Sequence, residues 1–217
     1  MKRVFVSRKL KPEGALFTYF NLVDSNVSYD DWSMLDFSPV PFDYPNTSWI
    51  FFYSQQGVRY FYHGQKMILA ERYRVACFAE RTAALVKSFG ITADFVGSGD
   101  AKEVATNIRD KFTHELVTFI HGRASLRSVQ HLLTPDFPEC IVYDQRMIER
   151  PLTAVYDIAI ITSPMNARSF WKNGGKAHNY IAIGPTTASE IQNRKFNCVI
   201  AKQPSEKSLV QAVKQFL

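Results

Sequence analysis

Short, continuous apolar runs recur along this chain, and segments of helical character separate them. Residues 3–7, 50–53, 74–78, 93–96, 116–121, 140–143, 157–161, 180–183 and 197–200 read as strands. Helical stretches are expected up to Tyr62, over 80–89, 101–111 and 125–133, and from near Pro164, Thr186 and Pro204. Gly90 stands where the second of these should stop. Pro204 suits the first turn of the last helix, whose Leu209, Val213 and Phe216 share one side. Strands that are apolar throughout belong to sheets covered on both faces, and their alternation with helices makes those sheets parallel. Such sheets bind ligands outside the carboxyl ends of their strands, so polar residues directly after strands are the first candidates for a site.

An internal repeat lies at those positions. Phe51-Phe52-Tyr53-Ser54 enters a helix closed by Phe61, and Val75-Ala76-Cys77-Phe78-Ala79 follows, leading into Glu80-Arg81-Thr82-Ala83. Later, Ile160-Ile161-Thr162-Ser163 enters a helix in which Phe170 takes the place of Phe61. There Ile181-Ala182-Ile183-Gly184 leads into Pro185-Thr186-Thr187-Ala188. The repeat predicts an α/β protein of two similar lobes, each a parallel sheet flanked by helices. The later half has few strands after Asp157, so the N-terminal strand is expected to complete it. Lobe one is then discontinuous, 1–34 and 149–217, and lobe two is 40–142. The crossings fall near 35–39 and 143–148, where Pro39 and Pro41 disfavour helix.

Composition narrows the function. Of the 217 residues, 46% are apolar, 21% charged and 14% aromatic, enough for a core and against disorder. No apolar run approaches the roughly 20 residues of a membrane helix. The apolar run at Val4-Phe5-Val6 ends too soon for a secretory leader. The net charge of +6 is scattered, which speaks against nucleic-acid and membrane partners and leaves a polyanionic small substrate, or plain solubility, open. Cys77, Cys140 and Cys198 lack metal or redox spacing, so a reducing cytoplasm is expected. His63, His114, His121, His131 and His178 form no metal constellation. Gly97-Ser98-Gly99 lacks the remaining glycines of a dinucleotide fingerprint, and no Walker run exists.

Ser54 and Ser163 stand at strand-to-helix junctions. A serine there most often caps the helix. The same geometry also presents N–H groups and a positive helix end to carboxylates. Thr82, Thr186 and Thr187 invite the same two readings, and Gly184 would let a ligand approach the backbone closely. Arg8 and Arg127 are more often solvated charges than ligand contacts, and Tyr143 is more often packing than chemistry.

These segments, in this order, resemble the uroporphyrinogen-III synthase family over essentially the whole chain. Ile181-Ala182-Ile183-Gly184-Pro185-Thr186-Thr187-Ala188, preceded by Ile161-Thr162-Ser163-Pro164, carries the strongest likeness. Phe52-Tyr53-Ser54, Ala79 to Ala83, Val142-Tyr143, Val4 to Arg8, Gly122 and Arg127 carry weaker ones. The resemblance implies two α/β lobes joined by a two-stranded linker, with the site in the cleft. It implies a cofactor-free lyase that closes hydroxymethylbilane, a linear tetrapyrrole with eight carboxylates, into a macrocycle with one ring inverted. Tyr143 would assist loss of the hydroxyl. Ser54, Thr82, Gly122, Arg127, Ser163, Gly184, Thr186, Thr187 and Arg8 would contact substrate. A monomer with transient contact to hydroxymethylbilane synthase is expected. Two departures bear on anion contacts: Ala79 stands where a glycine is expected, and Asn179 where some members carry a basic residue. The alternative is a non-catalytic two-lobed α/β module that binds small anions.

Overall fold

The computed structural model describes residues 1–23, 26–63, 72–111, 115–133 and 137–217. His114 lies outside them. The chain forms two compact units, Met1–Asp36 with Arg146–Leu217, and Phe37–Gln145.

In the first unit, β1 (Lys2–Val6), α1 (Ala15–Thr18) and β2 (Val27–Asp31) come from the start of the chain. The rest comes from its end: β9 (Val155–Ile161), α6 (Pro164–Lys172), β10 (Lys176–Ala182), α7 (Pro185–Gln192), β11 (Cys198–Ile200) and α8 (Glu206–Val213). The strands lie in the order β11-β10-β9-β1-β2, every neighbouring pair parallel. The second unit holds β4 (Trp49–Phe52), α2 (Gln55–Phe61), β5 (Arg74–Cys77), α3 (Glu80–Ser88), β6 (Phe95–Val96), α4 (Ala101–Lys111), β7 (Val117–Gly122) and α5 (Gln130–Leu133). Two further strands, β3 (Leu35–Pro39) and β8 (Glu139–Met147), carry the chain from one unit to the other. The second sheet runs β3-β8-β7-β4-β5-β6. Ile148 N–H donates to Met34 O (3.0 Å) and Val40 N–H to Val142 O (3.1 Å) where β3 lies along β8.

Apart from β3, the two sheets share one plan. From β4 the chain adds β5 and β6 on one side, then returns to add β7 and β8 on the other. From β9 it adds β10 and β11, and the N-terminal β1 and β2 occupy the remaining side. The first unit is thus a circular permutation of the second.

Each sheet is covered on both faces, as its uninterrupted apolar strands require. In β4, Ile50 and Phe52 pack toward Val58, Phe61 and Val86 of α2 and α3, while Trp49 and Phe51 pack toward Val104 and Ile108 of α4. In β1, Val4 and Val6 face Leu16 and Leu209 of α1 and α8, and Phe5 faces Phe170 and Ile191 of α6 and α7. Phe61 and Phe170, the aromatic residues of the repeat, are both fully buried. Burial at this level is worth about 1.5–3 kcal/mol for each such side chain.

The helix expected over 125–133 is confined to Gln130–Leu133. Arg127 takes a left-handed backbone (φ +50°), which an α-helix does not admit. The strand expected at 140–143 extends to Met147, because β3 gives its second half a partner.

Candidate functional site

In both sheets the strand order reverses at one point, between β4 and β7 in the second unit and between β9 and β1 in the first. A doubly wound sheet opens a crevice there, at the carboxyl ends of the strands. Ser54 and Gly122 stand at that point in the second unit, and Ser163, Ser7 and Arg8 in the first.

Ser54 caps α2, its Oγ accepting from Gly57 N–H (3.2 Å). The same oxygen lies 3.4 Å from the Tyr143 hydroxyl. Tyr143 sits on β8, opposite Gly122 of β7, at a register shift between His121 and Gly122. Its ring packs against that glycine: a Cβ at position 122 would come within 2.3 Å of Tyr143 Cε2. Tyr60 of α2 stacks on the ring (centroids 5.4 Å apart, 26° between planes), and Phe37 meets it edge-on at 5.9 Å. Burial raises the Tyr143 phenol above its ordinary value; the Ser54 bond lowers it and Tyr60 raises it again. The phenol therefore keeps its proton at neutral pH.

Arg127 Nε is paired with Glu139 (3.1 Å). The same carboxylate oxygen lies 3.2 Å from Nε2 of the buried His121, whose Nδ1 lies 3.0 Å from Gly122 O. Thr82 stands in the first turn of α3 with 4% exposure. Ala79 precedes α3 and gives it no side-chain cap.

In the first unit, Ser163 caps α6, accepting from Asn166 N–H (3.1 Å). Beside it, Ser7 Oγ lies 3.1 Å from Thr162 Oγ1 and accepts from Thr162 N–H, while Asn166 Nδ2–H donates to Thr162 Oγ1 (2.8 Å). Gly184 precedes α7 with no side-chain cap, and a Cβ there would meet nothing within 4 Å. Its backbone is extended (φ −173°), so any residue could adopt it. The glycine leaves the start of α7 bare. Thr186 is exposed there, and Thr187 beside it is 3% exposed. Arg8 Nη2–H donates to Glu206 Oε1 (2.7 Å), and its buried Nε has no partner.

The structure thus gathers Tyr143, Ser54 and Gly122 in one unit and sets Ser163, Gly184 and Thr186 at helix starts in the other. Arg8 and Arg127 are committed to protein carboxylates. Sequence reasoning missed Tyr60, His121 with Glu139, and the Ser7–Thr162–Asn166 net. Ser7, at the end of the first expected strand, and Thr162, directly after the strand at 157–161, carried the signal of their place at a strand's carboxyl end.

A family model described as uroporphyrinogen-III synthase HemD matches residues 22–211. The chain belongs to the uroporphyrinogen-III synthase family. It has uroporphyrinogen-III synthase activity, a cyclising lyase step of haem biosynthesis, so the reading as a non-catalytic anion-binding module gives way. The uroporphyrinogen-III synthetase of Helicobacter pylori 26695 shares 16% identity, with the whole of both chains covered and a TM-score of 0.74. A mutant uroporphyrinogen III synthase of the extreme thermophile Thermus thermophilus shares 12% identity, covering 99% of this chain and 98% of that one, with a TM-score of 0.62. At these identities the likeness speaks for the fold alone. No curated protein matches the chain. Among the described residues, no helix is long and apolar enough to cross a membrane.

Proposed function

We propose that the family's reaction proceeds here with Tyr143 as the proton donor to the departing hydroxyl. The contact that carries this reading is the protonated, buried phenol 3.4 Å from the hydroxyl that caps α2. Hydroxymethylbilane loses its hydroxyl with that proton, as water, and an electrophilic azafulvene remains. The substituted carbon of the terminal ring attacks it and forms a spiro intermediate. Fragmentation and recombination invert ring D, and loss of a proton restores the aromatic pyrrole. The overall change is one water lost.

The phenol enters the first step uncharged, its proton leaves with the hydroxyl as water, and the proton released when the pyrrole rearomatises returns to it, so the cycle ends with Tyr143 protonated. The substrate's carboxylates call for N–H donors at helix starts. Ser54, Ser163 and Gly184 mark such starts, with Thr186 exposed beside the last. Thr82 and Thr187, in the first turns of α3 and α7, add hydroxyls to these donors, and Gly122, Arg8 and Arg127 complete the set of residues proposed to meet the substrate. Much of the acceleration then comes from holding the bilane folded. The chain works as a cytoplasmic monomer, without nucleic acid, membrane or cofactor, and takes its substrate through transient contact with hydroxymethylbilane synthase. Its buried free thiols, Cys77 and Cys140, fit a reducing compartment.

The test is a coupled assay that generates hydroxymethylbilane in situ and separates the oxidised porphyrin isomers. Type III should dominate with wild-type protein and fall sharply with Tyr143→Phe. Type III formation at the wild-type rate by Tyr143→Phe would remove the assigned role.

A further inference from the structure

A proton donor must hold its hydroxyl steady, and a tyrosine ring needs contacts on several sides to do so. Gly122 supports the Tyr143 ring from β7, and Phe37 touches its edge. A further contact is Tyr60, whose ring stacks on it at 5.4 Å. Tyr60 is itself held at both ends. Its backbone belongs to α2, the helix that Ser54 caps, and its hydroxyl donates to Phe37 O (3.0 Å). One helix therefore supplies both the hydroxyl that meets the Tyr143 phenol and the ring that covers it. Tyr60's own proton is spent on a backbone carbonyl, so it is not a second acid. Its role runs through Tyr143.

We propose that Tyr60 is a positioning residue that fixes the Tyr143 phenol against Ser54 through ring stacking. This rests on Tyr143 being the proton donor. Displacing a catalytic group by about 1 Å can cost on the order of 10²-fold in rate. Loss of one of several ring contacts should cost less, about tenfold in kcat, with KM unchanged.

The experiment compares Tyr60→Met, Tyr60→Phe, Tyr143→Phe and the double variant Tyr60→Met/Tyr143→Phe. It measures kcat and KM for type III formation, with circular dichroism to check the fold. Tyr60→Met fills most of the volume without a ring and should lower kcat about tenfold. Tyr60→Phe keeps the ring and should stay within about twofold of wild type, since losing one hydrogen bond moves the stack little. The double variant should be no slower than Tyr143→Phe alone, because Tyr60 has nothing left to position.

A Tyr60→Met enzyme with wild-type kcat would overturn the proposal while leaving Tyr143 in its role. So would losses that multiply in the double variant, or a Tyr60→Phe as slow as Tyr60→Met. Should Tyr60→Met fail to fold, Tyr60→Leu and the Tyr60→Phe comparison decide by the same outcomes. Wild-type turnover by Tyr143→Phe would instead bring down the proton-donor reading, and this inference with it.

Discussion

The two units repeat one arrangement of strands and helix starts, and they finish it differently. Ser54 and Ser163 cap α2 and α6 with nearly the same bond, 3.2 and 3.1 Å. What stands beside each cap is not the same. In the second unit a tyrosine lies over Gly122 and reaches Ser54. In the first unit the neighbouring strand ends at Ser7, which joins Thr162 and Asn166 in a net of hydroxyls and an amide. The second turn of each repeat differs too, with a methyl at Ala79 and open space at Gly184. A repeated strand-to-helix turn thus supplies a place for anions twice over. The chemistry comes from what the neighbouring strands bring to it.

The largest test of this contrast is Tyr143→Phe, expected to lower kcat on the order of 10²-fold with an unchanged melting curve. Ser7→Ala, in the hydroxyl net beside the Ser163 cap of the first unit, should leave kcat intact and raise KM. Equal effects of the two on kcat would dissolve the contrast.

Next comes a pair of glycines. Gly122→Ala drives a Cβ into the Tyr143 ring. It should cost about 1–3 kcal/mol in denaturant unfolding and remove most of the turnover. Gly184→Ala meets no neighbour, so stability should hold while KM rises. An unchanged KM would show that the bare start of α7 holds no substrate.

The caps sharpen the comparison further. Ser54→Ala and Ser163→Ala should each cost about 1 kcal/mol of stability through the lost cap. Only Ser54→Ala should also lower kcat, since Ser54 alone of the two meets the phenol. Kinetics and unfolding on the same two proteins separate the effects.

The smallest effect is on alkaline stability. Burial pushes Cys140 up to about 11 and Cys77 and Tyr53 up to about 12. In the unfolded chain these thiols ionise near 9 and the phenol near 10. Above pH 9 the native state therefore binds more protons than the unfolded one, and stability falls as pH rises toward 12. In the first unit, Cys198 is raised by burial, and Tyr156 reaches about 12 through burial and its Asp30 bond. The second unit buries its thiols more deeply and should melt first. Single-tryptophan variants reporting on Trp49 or on Trp171 would show the order, and simultaneous melting would count against the contrast.

Much of this is legible in the chain because it is local. Apolar runs mark the strands, cap chemistry places Ser54 and Ser163 at helix starts, and the spacing of the repeat shows two similar sheets. Family likeness, carried by short motifs in order, supplies the reaction. The helix expected over 125–133 falls short because its apolar spacing hides the left-handed turn at Arg127.

Tertiary structure alone decided the contacts between distant segments. Tyr143 and Ser54 are 89 residues apart, and Arg8 and Glu206 are 198 apart. Periodicity and caps depend on a few neighbouring residues, so a sequence displays them directly. Which strand lies beside which depends on closing both faces of a sheet at once. Only that closure set a tyrosine of β8 on a glycine of β7, beside the serine that begins α2.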